Sequence, residues 1–316
     1  MITKAGLAVI DTLCSGREST PGELATKTAY SKTHLYDILD ELLTAGLLTE
    51  TRGPNNQRRV RVTHHPVVEA YRNLRSKLSH VDWTELLSPA ILRVCWYLDE
   101  PRRATEIAAR LEITRQGVHN ALSPLKHRAM LSPTGPEYGL SEDLSPLLEF
   151  ARSVVSYEHR SRVREIAPSA TIAWCDPKRA LVRVQSPDDT AALQSAADWQ
   201  LTGLARFQEY ELQFFLGGEP AFWYTLDEVL TPAEVMCHTL VLDSDSRRVS
   251  YSMLLIEKLD IDQDTLTETA TWYDLETTVA AMYRSLRGTF DTPDDLSVPL
   301  PSESEYMALK EQYGVI

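Results

Sequence analysis

A pattern near the start of the chain recurs 83 positions later without a gap. Glu23, Leu24 and Ala25 are followed by Ser31, Leu35, Leu39, Leu42, Leu47 and Leu48. The second copy has Glu106, Ile107 and Ala108, then Thr114, Val118, Leu122, Leu125, Met130 and Leu131. Every apolar position meets an apolar one, and Ser31 meets Thr114, each a good N-cap for the helix that follows. The apolar spacings are helical, so each copy has to hold at least two helices that bury a stripe against one another. A chain with this repeat folds as two like units in series.

The first copy can be followed element by element. Residues from about Lys4 to Cys14 make an amphipathic helix. Thr20-Pro21 opens a second, with Pro at the first helical position and Glu23 near its start. A turn at Thr28-Ala29-Tyr30 leads to Ser31, which caps a third helix with Leu35, Ile38, Leu39, Leu42 and Leu43 on its core face and Gly46 as its left-handed stop. Its other face, at the N-terminal end, offers Lys32, Thr33, His34, Tyr36 and Asp37. Leu47 to Thr51 and Arg59 to Thr63 then alternate as strands around a tip of Gly53, Pro54, Asn55 and Asn56. Arg52, Arg58, Arg59 and Arg61 cluster on this hairpin, with guanidiniums expected to be available for phosphate or a minor groove.

The order helix, helix, third helix and cationic hairpin resembles the winged-helix transcription regulators of the MarR and ArsR type. The resemblance covers residues 4–63 and, less completely, 89–140. It implies double-stranded DNA as partner, with the third helix in the major groove and the wing on the backbone. On that basis Ser31, Lys32, Thr33, His34, Tyr36, Arg52, Arg58, Arg59 and Arg61 are candidate DNA contacts. In the second copy Arg115, Gln116, His119 and Asn120 are candidates, since Arg suits guanine and Gln or Asn suits adenine. There Gly117 lies early in the helix, Pro124 is expected to kink it, and the wing from Leu131 to Leu140 carries no arginine. DNA and a docking partner both stay open for this copy.

Charge separates the two halves of the chain. Residues 1–167 carry 22 basic and 20 acidic side chains, and residues 168–316 carry 10 and 25, so the net −13 belongs to the C-terminal half. Lys is scarce beside Arg, while Asp, Glu and Thr are plentiful, a bias that resembles proteins of salt-loving archaea. No apolar run approaches a membrane span and no signal sequence is recognisable, so a cytoplasmic protein without a membrane partner is expected. Cys14, Cys95, Cys175 and Cys237 stand far apart, which argues against a zinc site and for core thiols.

The expected fold class is α+β and mostly helical: winged helices over 1–65 and 89–142, a linker helix over 66–88, a connecting helix over 143–167, a small acidic α+β domain over 168–290, and a loose tail with a short helix over 291–316. Within the third domain, strands are expected at 170–174, 180–184, 211–216 and 221–224, with a turn at 217–220 and a helix from Asp188 to about Phe207. No phosphate-binding glycine loop, nucleophile elbow or metalloprotease motif occurs, so neither an enzyme nor a cofactor is expected. Trp174, Trp199, Phe207, Phe214, Phe215, Phe222, Trp223, Tyr224, Trp272 and Tyr273 supply a core, with a sensor cavity or docking face also open.

The expected function is sequence-specific transcription regulation, with the first copy reading a major groove. A homodimer, and a protein partner or small-molecule effector at 168–290, are compatible with it. Trp199 to Ala205, followed by a Gly-Gly turn and apolar strands, is faintly similar to antitoxins that carry an N-terminal winged helix. That resemblance implies the alternative, a C-terminal domain that neutralises a nucleotidyltransferase toxin while the protein represses its own operon.

Overall fold

The computed structural model describes residues 2–16, 18–53, 56–214, 220–225, 229–290, 296 and 298–315. The chain divides into two compact units, 1–158 and 159–316. The expected hairpin tip at Pro54-Asn55 and most of the expected turn at 217–220 lie outside the described residues.

The first unit opens with α1 (Lys4–Cys14), α2 (Pro21–Thr28) and α3 (Lys32–Thr44), followed by the antiparallel pair β1 (Leu48–Arg52) and β2 (Arg58–Val62). After α4 (Pro66–Lys77) and α5 (Trp83–Leu86), the order returns as α6 (Pro89–Cys95), β3 (Arg102–Arg103), α7 (Ala104–Leu111), α8 (Arg115–Lys126), β4 (Leu131–Thr134) and β5 (Glu137–Leu140). The repeat extends to the backbone. Ala29 and Glu112 are both left-handed, with φ of 57° and 52°, and so are Gly46 and Ala129, with φ of 70° and 55°. These pairs sit at equivalent helix ends, where a left-handed residue stops the helix and turns the chain. Ser19 bridges Val60 in the first hairpin as Arg102, 83 residues on, pairs Tyr138 in the second, whose hairpin is five residues shorter.

Local chemistry explains these boundaries. The Thr20 hydroxyl accepts the Glu23 N–H while the Glu23 carboxylate accepts the Thr20 N–H, a reciprocal cap that starts α2. The Ser31 and Thr114 hydroxyls accept the His34 and Gly117 N–H groups at the starts of α3 and α8. Leu24, Leu35 and Leu39 in one copy, and Ile107, Val118 and Leu122 in the other, are fully buried. The α8 helix continues through Pro124 to Lys126. Burial of Leu122 and Leu125 on either side of Pro124 holds the helix despite the missing donor. The Tyr71 hydroxyl of α4 donates to Asp11 at 2.8 Å, and its ring lies 5.3 Å from Phe150.

Phe150 belongs to α9 (Ser145–Ile166), a 22-residue helix within which the division between units falls. The second unit continues with β6 (Thr171–Cys175), β7 (Ala180–Arg183), α10 (Pro187–Ser195), β8 (Trp199–Thr202), β9 (Ala221–Tyr224), α11 (Pro232–Leu242), α12 (Ser246–Leu259), α13 (Gln263–Ala270), α14 (Glu276–Leu286) and α15 (Glu303–Tyr313). Its four strands form one antiparallel sheet in the order β6-β7-β9-β8. Alternation sends Leu181 and Trp223 to one face and Val182 and Phe222 to the other. The first face packs on α11, α12 and α14, and the second on Val163 of α9 and Leu193 of α10.

Three expectations are corrected here. Trp199 to Thr202 is a strand, not the end of a long helix, because Leu201 and Thr202 pair with Phe222 and Ala221. Residues 211–214 form no strand; 215 and 216 lie outside the described residues. The segment expected to be loose contributes Val298 and Leu300, and with α15 Tyr306 and Val315, to the main core of the unit. The Tyr306 hydroxyl and the Lys310 ammonium both donate to Glu257 of α12. Burial pushes the thiols of Cys95 and Cys175 up to about 12, which makes them inert near neutrality. Among the described residues no helix is long and apolar enough to cross a membrane, and no side-chain group could hold a metal ion.

Candidate nucleic-acid interface

On the first copy, Ser31, Lys32, Thr33, His34 and Tyr36 are all exposed along the N-terminal turns of α3. The Tyr30 and His34 rings meet edge to face at 5.4 Å. Asp37, Asp40 and Glu41 are on the same helix, and Asp37 and Asp40 are exposed beside these side chains. The hairpin arginines are less available than the sequence suggests. Arg58 donates to Glu50 at 2.9 Å and to Asp40 at 3.3 Å, and its guanidinium lies 5.6 Å from the Tyr36 ring. Arg59 donates to Glu18 at 3.0 Å. Their side chains are only 26% and 27% exposed, against 61% for Arg52, which reaches Glu50 at 3.3 Å. Arg61 is exposed and makes no ion pair with the described residues. The expectation of several open guanidiniums on this hairpin is therefore corrected. Carboxylates brought from Glu18 and Asp40 hold two of the four.

The second copy is arranged differently. Arg115, Gln116 and Asn120 are exposed on α8, and His119 is half-buried between α8 and the hairpin. The Arg115 Nε donates to His119 Nε2 at 3.2 Å, and His119 Nδ1 meets the Tyr138 hydroxyl at 2.8 Å. If Arg115 supplies the proton to Nε2, then Nδ1–H donates to Tyr138, so one tautomer satisfies the whole relay. It fixes the Nε side of the Arg115 guanidinium. The Gln116 amide donates to Asn120 at 2.9 Å, which pre-orients that pair as well.

Between α8 and the β4–β5 hairpin lies a groove of about 790 Å³ lined by Arg103, Arg115, His119, Lys126, Glu137 and Tyr138, among others. Glu137 is its one acidic side chain, 3.7 Å from Arg103. Arg103 arrives through β3, a two-residue strand that the sequence reading missed because so short a segment shows no alternation. Sequence does hold a signal for the rest. From Ile113 to Pro136 there is no Asp or Glu, while Arg115, Lys126 and Arg128 fall within that span. Pairing of Val60 and of Tyr138 with equivalent neighbours shows what stands in place of the first hairpin's cations: Pro136, Glu137 and Gly139 occupy the positions of Arg58, Arg59 and Arg61 in the first copy.

The C-terminal part of the chain is the part with a known relative family. Residues 196–315, less than half of the protein, match a family described as HVO_2833_C, C-terminal. No curated protein matches the chain.

Proposed function

We propose that the two helical copies are winged helices and that the protein is a sequence-specific DNA-binding transcription regulator. The observation that carries this reading is the acid-free outer face of α8, where Arg115, Gln116 and Asn120 stand exposed and pre-oriented beside a groove with more cations than carboxylates. Arg can take two acceptors of guanine, and Gln or Asn the donor–acceptor pair of adenine. The N-terminal end of the helix adds the positive end of its dipole toward phosphate.

On the first copy, Lys32, Thr33, His34 and Tyr36 on α3 supply a second set of groove contacts, with Ser31 as the cap that aims them. Arg52 and Arg61 supply backbone contacts. Asp37 and Asp40 weaken phosphate attraction there, so sequence preference resides more in α8 than in α3. Two reading helices in one chain also suit a bipartite site without requiring a dimer.

The test is selection of binding sequences by the intact protein from a randomised duplex library, repeated with Arg115→Ala/Asn120→Ala and with Thr33→Ala/His34→Ala. A defined motif, altered most by the α8 pair, supports the proposal. Absence of enrichment with the unaltered protein would sink it.

A further inference from the structure

The turn that leads into α8 puts an apolar side chain among polar ones. Glu112 ends α7 in the left-handed conformation, with φ of 52°, and the Ile113 N–H donates to the Ala108 carbonyl at 3.0 Å. The backbone is thereby fixed, and Ile113 stands 43% exposed directly before the cap Thr114. Among the described residues of the first unit, only Tyr36 and Ile113 are large apolar side chains left exposed. The Arg58 guanidinium lies 5.6 Å from the Tyr36 ring.

An apolar residue just ahead of a cap commonly packs on the fourth residue of its helix, here Val118. Val118 is fully buried, whereas much of Ile113 remains open to solvent, so helix entry alone does not account for the side chain. Gly117 is a second, independent observation. It is the third residue of α8, where glycine is a poor helix former, and its backbone is helical, so no left-handed φ requires it. Nor does packing demand it. A methyl group there would meet Thr114 Oγ1 at 3.4 Å and Ile113 Cδ1 at 3.6 Å, which are ordinary contacts. What glycine leaves is bare backbone beside the Ile113 side chain, an apolar shelf on the first turn of the helix where a ligand can approach closely. In the first copy the corresponding positions hold Tyr30 and His34, whose rings meet edge to face at 5.4 Å, so an aromatic pair occupies the place of the shelf.

Arg115 and Gln116, exposed just beyond the shelf, offer hydrogen bonds. In a major groove the base edges present nitrogen and oxygen donors and acceptors, and the apolar group among them is the 5-methyl of thymine. An open isoleucine side chain gains from removing that methyl from water and gains nothing comparable from the polar edges. Resting on the proposed DNA-binding function, we infer that Ile113, with the shelf at Gly117, selects a thymine in the half of the site read by α8 by burying its 5-methyl group.

The test starts from the duplex that the full-length protein enriches and replaces its thymines one at a time by deoxyuridine, which removes the methyl group and keeps the base pair. Positions whose preference changes with Arg115→Ala/Asn120→Ala mark the α8 half. One replacement in that half should weaken binding about fourfold, the effect of returning one methyl group to water. Ile113→Ala should bind the thymine duplex more weakly than the unaltered protein does, and should bind the deoxyuridine duplex just as well as the thymine one. Its fold should be unchanged by circular dichroism, because the position is exposed. Ile113→Val, which keeps a branched apolar end, should retain the discrimination. An enriched motif without thymine in the α8 half, indifference to every replacement there, or the same fourfold loss in Ile113→Ala would overturn the assignment of Ile113 and leave the DNA-binding function standing. Failure to enrich any motif would remove both.

Discussion

At the scale of single residues, the repeat supplies internal controls. Gly46 and Ala129 occupy equivalent left-handed positions, with φ of 70° and 55°. Glycine accepts that conformation without strain, and alanine pays about 1 kcal/mol for it. Ala129→Gly, at an exposed site, should therefore raise stability by about 1 kcal/mol in denaturant unfolding. A decrease would mean that the unfolded-state entropy of glycine outweighs the relief. The His119 relay makes a separate prediction. Removing the Tyr138 hydroxyl by Tyr138→Phe deletes the partner of His119 Nδ1 and should cost about 1 kcal/mol in DNA affinity, roughly fivefold, with little change in sequence preference. His119→Ala releases Arg115 outright and should weaken discrimination at its base position as well. If both variants bind the selected sequence as tightly as the unaltered protein, Arg115 does not depend on this relay.

At the scale of elements, the carboxylates that cap helices set the acid limit of the fold. Hydrogen bonds from Thr20 hold Glu23 below the ordinary glutamate value of 4.5, and those from Ser302 do the same for Glu305. Asp82 and Asp262 are lowered from 3.8 by the Thr84 and Thr265 groups that bond to them. A lowered carboxylate stabilises the folded state above its unfolded pKa and loses that contribution as pH falls through the folded one. Stability should accordingly fall as pH drops below 4.5. Glu23→Gln combined with Glu305→Gln should make that fall shallower, as measured by unfolding midpoints across the acid range. The same caps explain why the helices were legible in the sequence. Thr20-Pro21, Ser31 and Thr114 each announce a helix start from within four residues. The strand at Trp199 to Thr202 was not legible, because what makes it a strand is pairing with Ala221 to Tyr224 some twenty residues on. The ion pairs of Arg58 and Arg59 were hidden for a similar reason, since Asp40 and Glu18 lie 18 and 41 positions away. The acid-free span around α8, by contrast, was in plain view and was outweighed by the richer arginine count of the first hairpin.

At the scale of the whole molecule, the proposed function asks a chain of net charge −13 to meet a polyanion. Long-range attraction is therefore weak, and association depends on cations close to phosphate. Each such contact contributes about 0.9 to the slope of log affinity against log salt. Among the described residues, exposed Lys32, Arg61, Arg115 and Lys126 are cations of the proposed interface without a carboxylate partner. If those four make the phosphate contacts, the slope should be about 3.6 in magnitude. Arg58 and Arg59 are expected to contribute little. Opening a half-exposed ion pair costs no more than about 1 kcal/mol, but the released Asp40, Glu50 or Glu18 would then stand beside the phosphate and repel it. Salt titrations of the full-length protein should thus show Arg61→Ala flattening the slope by about one unit, and Arg58→Ala/Arg59→Ala leaving it nearly unchanged. A slope of about 5.4, reduced by the double variant, would require both arginines to exchange their carboxylates for DNA and would return the first hairpin to the centre of the interface.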